Sequence, residues 1–147
     1  DIIITSAFRT PIGSYMGSLS SYKPTQLGTE VIKKCLSDSN LNNDDVDLIY
    51  LGQVLQTGSG QNPARQAAMN AGINKEKTAT TINQVCGSGL AAISLAYNSL
   101  KLGDGNIIIA GGVGSFEPRK ISLKVAVKLE GKSVFYAVNN KDHFQSL

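Results

Sequence analysis

Apolar positions along the chain fall into short blocks separated by polar or glycine-containing breaks, and the spacing inside the blocks changes from one to the next. Residues 2–7 form a continuous run rich in β-branched side chains, the pattern of a buried strand. Pro11 and Gly13 break it. Thr25 is placed to cap a helix reaching about Ser37, and Leu27, Val31, Ile32, Cys35 and Leu36 share one face of it at helical spacing. The polar turn 42–45 precedes a strand within residues 46–55, centred on Leu48, Ile49, Tyr50 and Leu51. Asn62 and Pro63 open a second helix as N-cap and first helical residue. Ala64, Ala67, Ala68 and Ala71 line one face of it, small enough for another element to approach closely, and Gly72 suits the position just past its end. Residues 78–84, thick with threonine, read as another strand. Few polar positions interrupt residues 90–100, so a third helix there is predicted to be central and buried on most sides. Gly103 ends it, residues 106–110 form a further strand, and Gly111-Gly112 ends that.

Strands alternating with helices predict an α/β fold: a mainly parallel sheet with right-handed crossovers and helices on both faces. The pattern weakens after Ser115. Residues 121–127 and 133–138 are expected as strands of a meander, which divides the chain into a domain over 1–115 and a divergent tail over 116–147. There is no internal repeat and no low-complexity tract.

Composition narrows the function classes. A chain of 147 residues, 41% apolar and 17% charged, suits one globular domain with its own core. The net charge of +3 is mild. Arg119, Lys120, Lys124, Lys128 and Lys132 gather near the C-terminus without interleaved aromatic residues, which favours a solvated face over a nucleic-acid surface. Cys35 and Cys86 are the two cysteines. Their spacing fits neither a metal site nor a disulfide framework, so no metal is expected and the compartment is expected to be reducing and cytoplasmic. No apolar run approaches the roughly 18 residues of a membrane span, and the first residues lack the basic region of a signal peptide. Cys35 sits on the core stripe of the first helix, where cysteine behaves as a small hydrophobe.

Cys86 is different. It lies between a predicted strand and a predicted buried helix, with Gly87 and Gly89 around it. In sheets of this kind ligands bind beyond the carboxyl ends of the strands. A helix N-terminus there points free N–H groups and partial positive charge at the ligand and stabilises a thiolate. The glycines allow a sharp turn and leave room for a substrate. The arrangement has the logic of a nucleophile elbow with sulfur in place of oxygen, and the backbone N–H near Cys86 is a candidate oxyanion donor. A packed cysteine at a tight turn fits the same local pattern, and the pattern alone leaves both readings open.

Several stretches taken together resemble the thiolase family, the acetyl-CoA acetyltransferases and 3-ketoacyl-CoA thiolases. They are Ala7-Phe8-Arg9-Thr10-Pro11-Ile12-Gly13, Gly52-Gln53-Val54-Leu55, and Gly60-Gln61-Asn62-Pro63-Ala64-Arg65-Gln66-Ala67-Ala68. Asn83-Gln84-Val85-Cys86-Gly87-Ser88-Gly89-Leu90 and Ala110-Gly111-Gly112 complete the set. Their order and spacing fit the amino-terminal half of such an enzyme over residues 1–112. The resemblance implies a layered α/β fold and makes Cys86 the acyl-accepting nucleophile. It implies an acyltransferase that forms or cleaves acetoacetyl-CoA through an acyl-cysteine, with coenzyme A thioester as substrate and no metal or redox cofactor. It also implies a homo-oligomer, dimer or tetramer, pairing the strand 78–84 across a two-fold axis, with Arg65 an anchor near that contact.

The chain also departs from the family. After Gly112 it continues Val113-Gly114-Ser115-Phe116-Glu117-Pro118, and the motifs fade. The family's coenzyme A-binding loop domain is not recognisable, and neither are the histidine and second cysteine of the carboxy-terminal half. His143, the only histidine, is expected to be an exposed tail residue. A second expectation therefore stands beside the enzyme: a non-catalytic half-thiolase that folds and oligomerises without turnover.

Overall fold

A computed structural model of the chain describes residues 1–14, 17–116, 119–121, 126–129 and 132–135, with side-chain surroundings through residue 114. Three parallel strands form the central sheet: β1 (Leu48–Gly52), β2 (Thr78–Ile82) and β3 (Ile108–Gly112), in the order β2-β1-β3. Leu48 lies opposite Thr78 on one side and Ile108 on the other, and the register holds to Gly52, opposite Ile82 and Gly112. Helices α1 (Pro24–Asp38) and α2 (Pro63–Asn70) cover one face, and α3 (Ser88–Leu102) covers the other. The predicted parallel sheet with helices on both faces is therefore the observed one.

Period-two alternation distributes the strand side chains. Ile49, Leu51 and Ile109 enter the core shared with Val31, Ile32, Cys35 and Leu36 of α1 and the alanines of α2. Leu48, Tyr50, Ile108 and Ala110 pack against Ala92, Ala96 and Leu100 of α3. The alanine face of α2 does permit close approach: a Cβ on Gly28 of α1 would stand 2.9 Å from Val113 Cγ1 and 3.4 Å from Ala67 Cβ.

Asn62 caps α2 as predicted, its Oδ1 accepting from the Arg65 N–H at 3.1 Å, with Pro63 in the first turn and Gly72 beyond the end at φ +89°. The start of α1 differs. Lys23 is the N-cap, Pro24 opens the helix, and Gln26 Oε1 accepts from the Lys23 N–H at 2.7 Å, leaving Thr25 buried inside the first turn. Proline at the first helical position outweighs threonine as the start signal.

Residues 2–7 are not a buried strand. Ile3 makes one isolated bridge, and Ile3 and Ile4 are 46% and 58% exposed. The β-branched run reports a segment that gains from burial, but a strand also needs a neighbour to complete its backbone hydrogen bonds. Strand β3 continues through Gly111 and Gly112, where it was expected to stop, because the Val113 N–H donates to Gly52 O at 2.7 Å and keeps the edge aligned. Helix α3 buries only one face, through Ser88, Ala92, Ala96, Ser99 and Leu100. Leu90, Leu95, Tyr97 and Leu102 are exposed, in contrast to the all-round burial expected. A single sheet surface can cover no more than one stripe of a helix.

Beyond β3 lie two antiparallel pairs, β4 (Gly114–Phe116) with β5 (Arg119–Ile121) and β6 (Ala126–Leu129) with β7 (Lys132–Phe135). Strands β5 and β6 reach the two ends of the expected strand 121–127, and β7 covers the start of the expected strand 133–138; the rest of both lies outside the described residues. His143 and the surroundings of the basic cluster lie outside the described residues. No helix among the described residues is long and apolar enough to cross a membrane.

One polar clip fixes the approach to β1 and β3. Asp47 Oδ2 accepts from the Asn106 and Ile107 N–H groups at 2.7 and 3.1 Å, and Lys77 Nζ stands 3.5 Å from Oδ1. Burial pushes the Asp47 carboxyl up, but the two N–H groups and Lys77 outweigh it and hold it below its ordinary 3.8. A depressed folded-state value contributes stability above the unfolded value and loses it as pH falls through the folded one. Asp47→Asn is expected to lower the urea midpoint at neutral pH. It should also flatten the fall in stability that the wild type shows below about pH 4, measured by urea melts across pH.

Candidate active site

The site is the turn that carries the chain from β2 into α3. Strand β2 ends at Ile82, and Gly87, at φ −82° and ψ −3°, caps α3. Residues 83–86 reverse the chain between them. Gly87 N–H donates to Gln84 O and Ser88 N–H to Val85 O, both at 3.0 Å. Asn83 Oδ1 accepts from the Val85 N–H at 3.0 Å, and Asn83 Nδ2 donates to Val54 O at 2.9 Å, tying the turn to the chain leaving β1. Ser88 is 3% exposed; its hydroxyl donates to Val85 O at 2.5 Å and accepts from the Gln84 N–H at 2.9 Å.

Cys86 is a free thiol and exposed, at the top of this turn and immediately before Gly87, the N-cap of a 15-residue helix. Cys35 is also free but 1% exposed, as its place on the α1 stripe predicts. Burial pushes its thiol up to about 11, although Ser6 and the Phe8 backbone contribute the other way. The two cysteines thus have opposite settings within one small fold.

The floor of the site is Gly52, at the end of β1. A Cβ there would stand 2.5 to 2.7 Å from the carbonyl carbon, carbonyl oxygen and Cβ of Ser88, so only glycine lets the first turn of α3 rest on the sheet. Beside the turn a groove of about 510 Å³ runs along Ile82, Asn83, Gln84, Leu90, Ala91, Ser94, Leu95 and Asn98. Gln53, 1% exposed, braces the neighbouring loop by donating to Leu55 O and Ser59 Oγ, each at 2.7 Å. Arg65 donates to Lys77 O at 2.5 Å and Lys75 O at 2.6 Å, so its guanidinium anchors α2 to the approach to β2. Among the described residues no cluster of histidine, cysteine, aspartate or glutamate could hold a metal ion.

Sequence reasoning placed Cys86 at the strand-to-helix junction. Asn83, Ser88 and Gly52 entered only as motif residues, with no role assigned to any of them. The available signals were weak: polar residues able to bond to backbone on each side of the turn, and a glycine closing an otherwise apolar strand.

A parallel α/β unit presenting an exposed cysteine at a strand-to-helix junction is the class that fold and site define. The chain belongs to the thiolase family: the family model for the thiolase N-terminal domain matches residues 2–142, reaching into the segment where the motifs fade. It is 47% identical over 112 residues to an acetyl-CoA acetyltransferase of Pseudomonas aeruginosa, covering 76% of this chain and 28% of that protein. It is 45% identical over 130 residues to one of Rhizobium meliloti, covering 87% and 33%. A mitochondrial acetyl-CoA acetyltransferase of Xenopus tropicalis is 46% identical over 115 residues, covering 78% and 27%. The fold is similar to that of the Acat5 thiolase of Ascaris suum in complex with coenzyme A, with a TM-score of 0.75 and 36% identity over 77% of this chain and 30% of that one. The chain spans about a third or less of the length of these relatives.

Proposed function

We propose that this chain is the acyl-accepting part of a thiolase-type acyltransferase, with Cys86 as the nucleophile. Its sulfur attacks the carbonyl carbon of acetyl-CoA. A new carbon–sulfur bond forms, the bond to the coenzyme A sulfur breaks, and coenzyme A leaves as a thiol with the proton that Cys86 gave up. The Gly87 and Ser88 N–H groups are engaged within the turn; the candidate oxyanion donor in this reading is the backbone N–H of Cys86. In the full cycle a base removes a proton from the α-carbon of a second acetyl-CoA. That carbon attacks the acyl carbonyl and releases Cys86, giving acetoacetyl-CoA, and thiolytic cleavage is the reverse. Coenzyme A arrives as substrate, and neither metal nor redox cofactor takes part in this reading. The base and acid are groups that the family resemblance assigns to a carboxy-terminal half. Two free thiols suit a reducing compartment such as the cytoplasm.

The observation that carries the reading is an exposed cysteine on a braced turn at a helix N-terminus, in a chain of the thiolase family. Incubation with acetyl-CoA followed by intact-mass measurement is expected to show one added acetyl group, absent in Cys86→Ala. Residues 1–147 alone are expected to release no measurable acetoacetyl-CoA, because each missing acid or base withholds about 10²–10⁴-fold. Acetylation that persists in Cys86→Ala would remove Cys86 from the role. Robust condensation by this chain would place the base in its tail, with His143 the first residue to replace.

A second reading has its own support. Leu90 and Leu102 of α3 are 64% and 80% exposed, and among the described residues β2 is an edge strand. Such surfaces favour association, as in a homo-oligomeric half-thiolase that assembles without turnover. An unacylated Cys86 in a chain that sediments as a dimer or larger would favour it over the first.

A further inference from the structure

Among the described residues, the non-glycine residues with a left-handed backbone are Asn40, Asn62 and Val85. Asparagine enters that region readily, whereas a β-branched residue there is a genuine outlier. Val85, at φ +48°, gains little from packing, because it is 60% exposed. Hydrogen bonds from both sides hold it instead. Its N–H donates to Asn83 Oδ1, and its carbonyl accepts from the Ser88 hydroxyl and the Ser88 N–H. Both partners are themselves fixed, Asn83 by Val54 O and Ser88 by burial and by the Gln84 N–H. A strained conformation that burial does not offset, and that dedicated partners maintain, marks a place where geometry is needed.

The residue whose direction it sets is Cys86. We infer that Val85, held left-handed by Asn83 and Ser88, is a positioning residue that aims Cys86 Sγ at an acyl carbonyl. The inference rests on the reading of Cys86 as acyl acceptor. Val85 acts through the backbone and touches no substrate. Acyl transfer demands that sulfur meet the carbonyl carbon at about 3–3.5 Å along one direction while the oxygen meets its donor. Attack on a small alkylating agent carries no such demand, because the reagent tumbles freely to the sulfur. Orientation is therefore separable from exposure.

Val85→Gly removes the steric penalty of the left-handed region and frees the backbone. Its urea midpoint is expected to be no lower than that of the wild type. Acetylation of Cys86 by acetyl-CoA, followed by intact mass over time, should slow about tenfold or more. Alkylation by iodoacetamide should change less than about twofold. Val85→Ile keeps the β-branch and should match the wild type in all three measurements. Asn83→Ala releases the Val85 N–H and should slow acetylation as Val85→Gly does. A Val85→Gly chain that acetylates at the wild-type rate overturns the inference. So does one whose alkylation falls in step with acetylation, or whose midpoint drops well below that of the wild type. If the wild type itself gains no acetyl group on Cys86, the acyl-acceptor reading falls and takes this inference with it. A wild type that acetylates beside an equally fast Val85→Gly sinks this inference alone.

Discussion

Gly52→Ala is expected to lower the urea midpoint far below that of the wild type. The added Cβ would sit 2.5 Å from the Ser88 carbonyl carbon and 2.6 Å from its oxygen. Those atoms are backbone at the start of a helix and have no rotamer by which to retreat. Either β1 shifts, breaking its register with β2 and β3 on both sides, or the first turn of α3 lifts off the sheet. Overpacking costs about 1–3 kcal/mol, and occasionally more, a large share of the total stability of about 5–15 kcal/mol for a domain. Gly58→Ala is the control. Gly58 has φ +75°, so it carries a conformational cost, but its Cβ would meet nothing within 4 Å. Urea melts should show a much larger loss for Gly52→Ala. In any fraction that remains folded, acetylation of Cys86 should also fall, because the turn bearing it rests on Ser88. Equal losses at the two positions would mean that the close approach is not what Gly52 provides.

The second large effect is chemical selectivity between the two cysteines. The thiolate is the reactive form, and burial pushes the Cys35 thiol up to about 11, so near neutral pH it stays protonated. It is also 1% exposed, closed in by the core around α1. Cys86 stands exposed on its turn. Brief treatment with iodoacetamide at neutral pH, followed by peptide mapping, is expected to label Cys86 at least about a hundredfold faster than Cys35. In urea above the unfolding midpoint the preference should collapse, because burial is what separates the two. Cys35 labelled first in the folded state would reverse the roles assigned to them.

The legible parts of the chain were those governed by local chemistry. Asn62-Pro63 announced the start of α2 because a cap and a first-turn proline act within a few residues. The stripe of Leu27, Val31, Ile32, Cys35 and Leu36 announced the buried face of α1, and with it the inertness of Cys35. Residues 2–7 and α3 were misread for a common reason. Apolar pattern records that a surface gains from burial, and it carries no information on whether another element lies within reach. Ile4 and Leu102 have that pattern and stand in the open.

The same division runs through the site. By itself the sequence determined the alternation of strands and helices, the parallel sheet, the family, and the position of Cys86 between β2 and α3. Each of these follows from short-range spacing or from motifs in order along the chain. The tertiary structure alone decided that Gly52 is the floor under Ser88, because β1 and the start of α3 are 36 residues apart and meet only when the sheet forms. It alone showed Asn83 reaching back to Val54, and Val85 held left-handed on an exposed turn. A close backbone approach and a strained dihedral are set by what neighbours impose across the fold, and no residue type on its own encodes them.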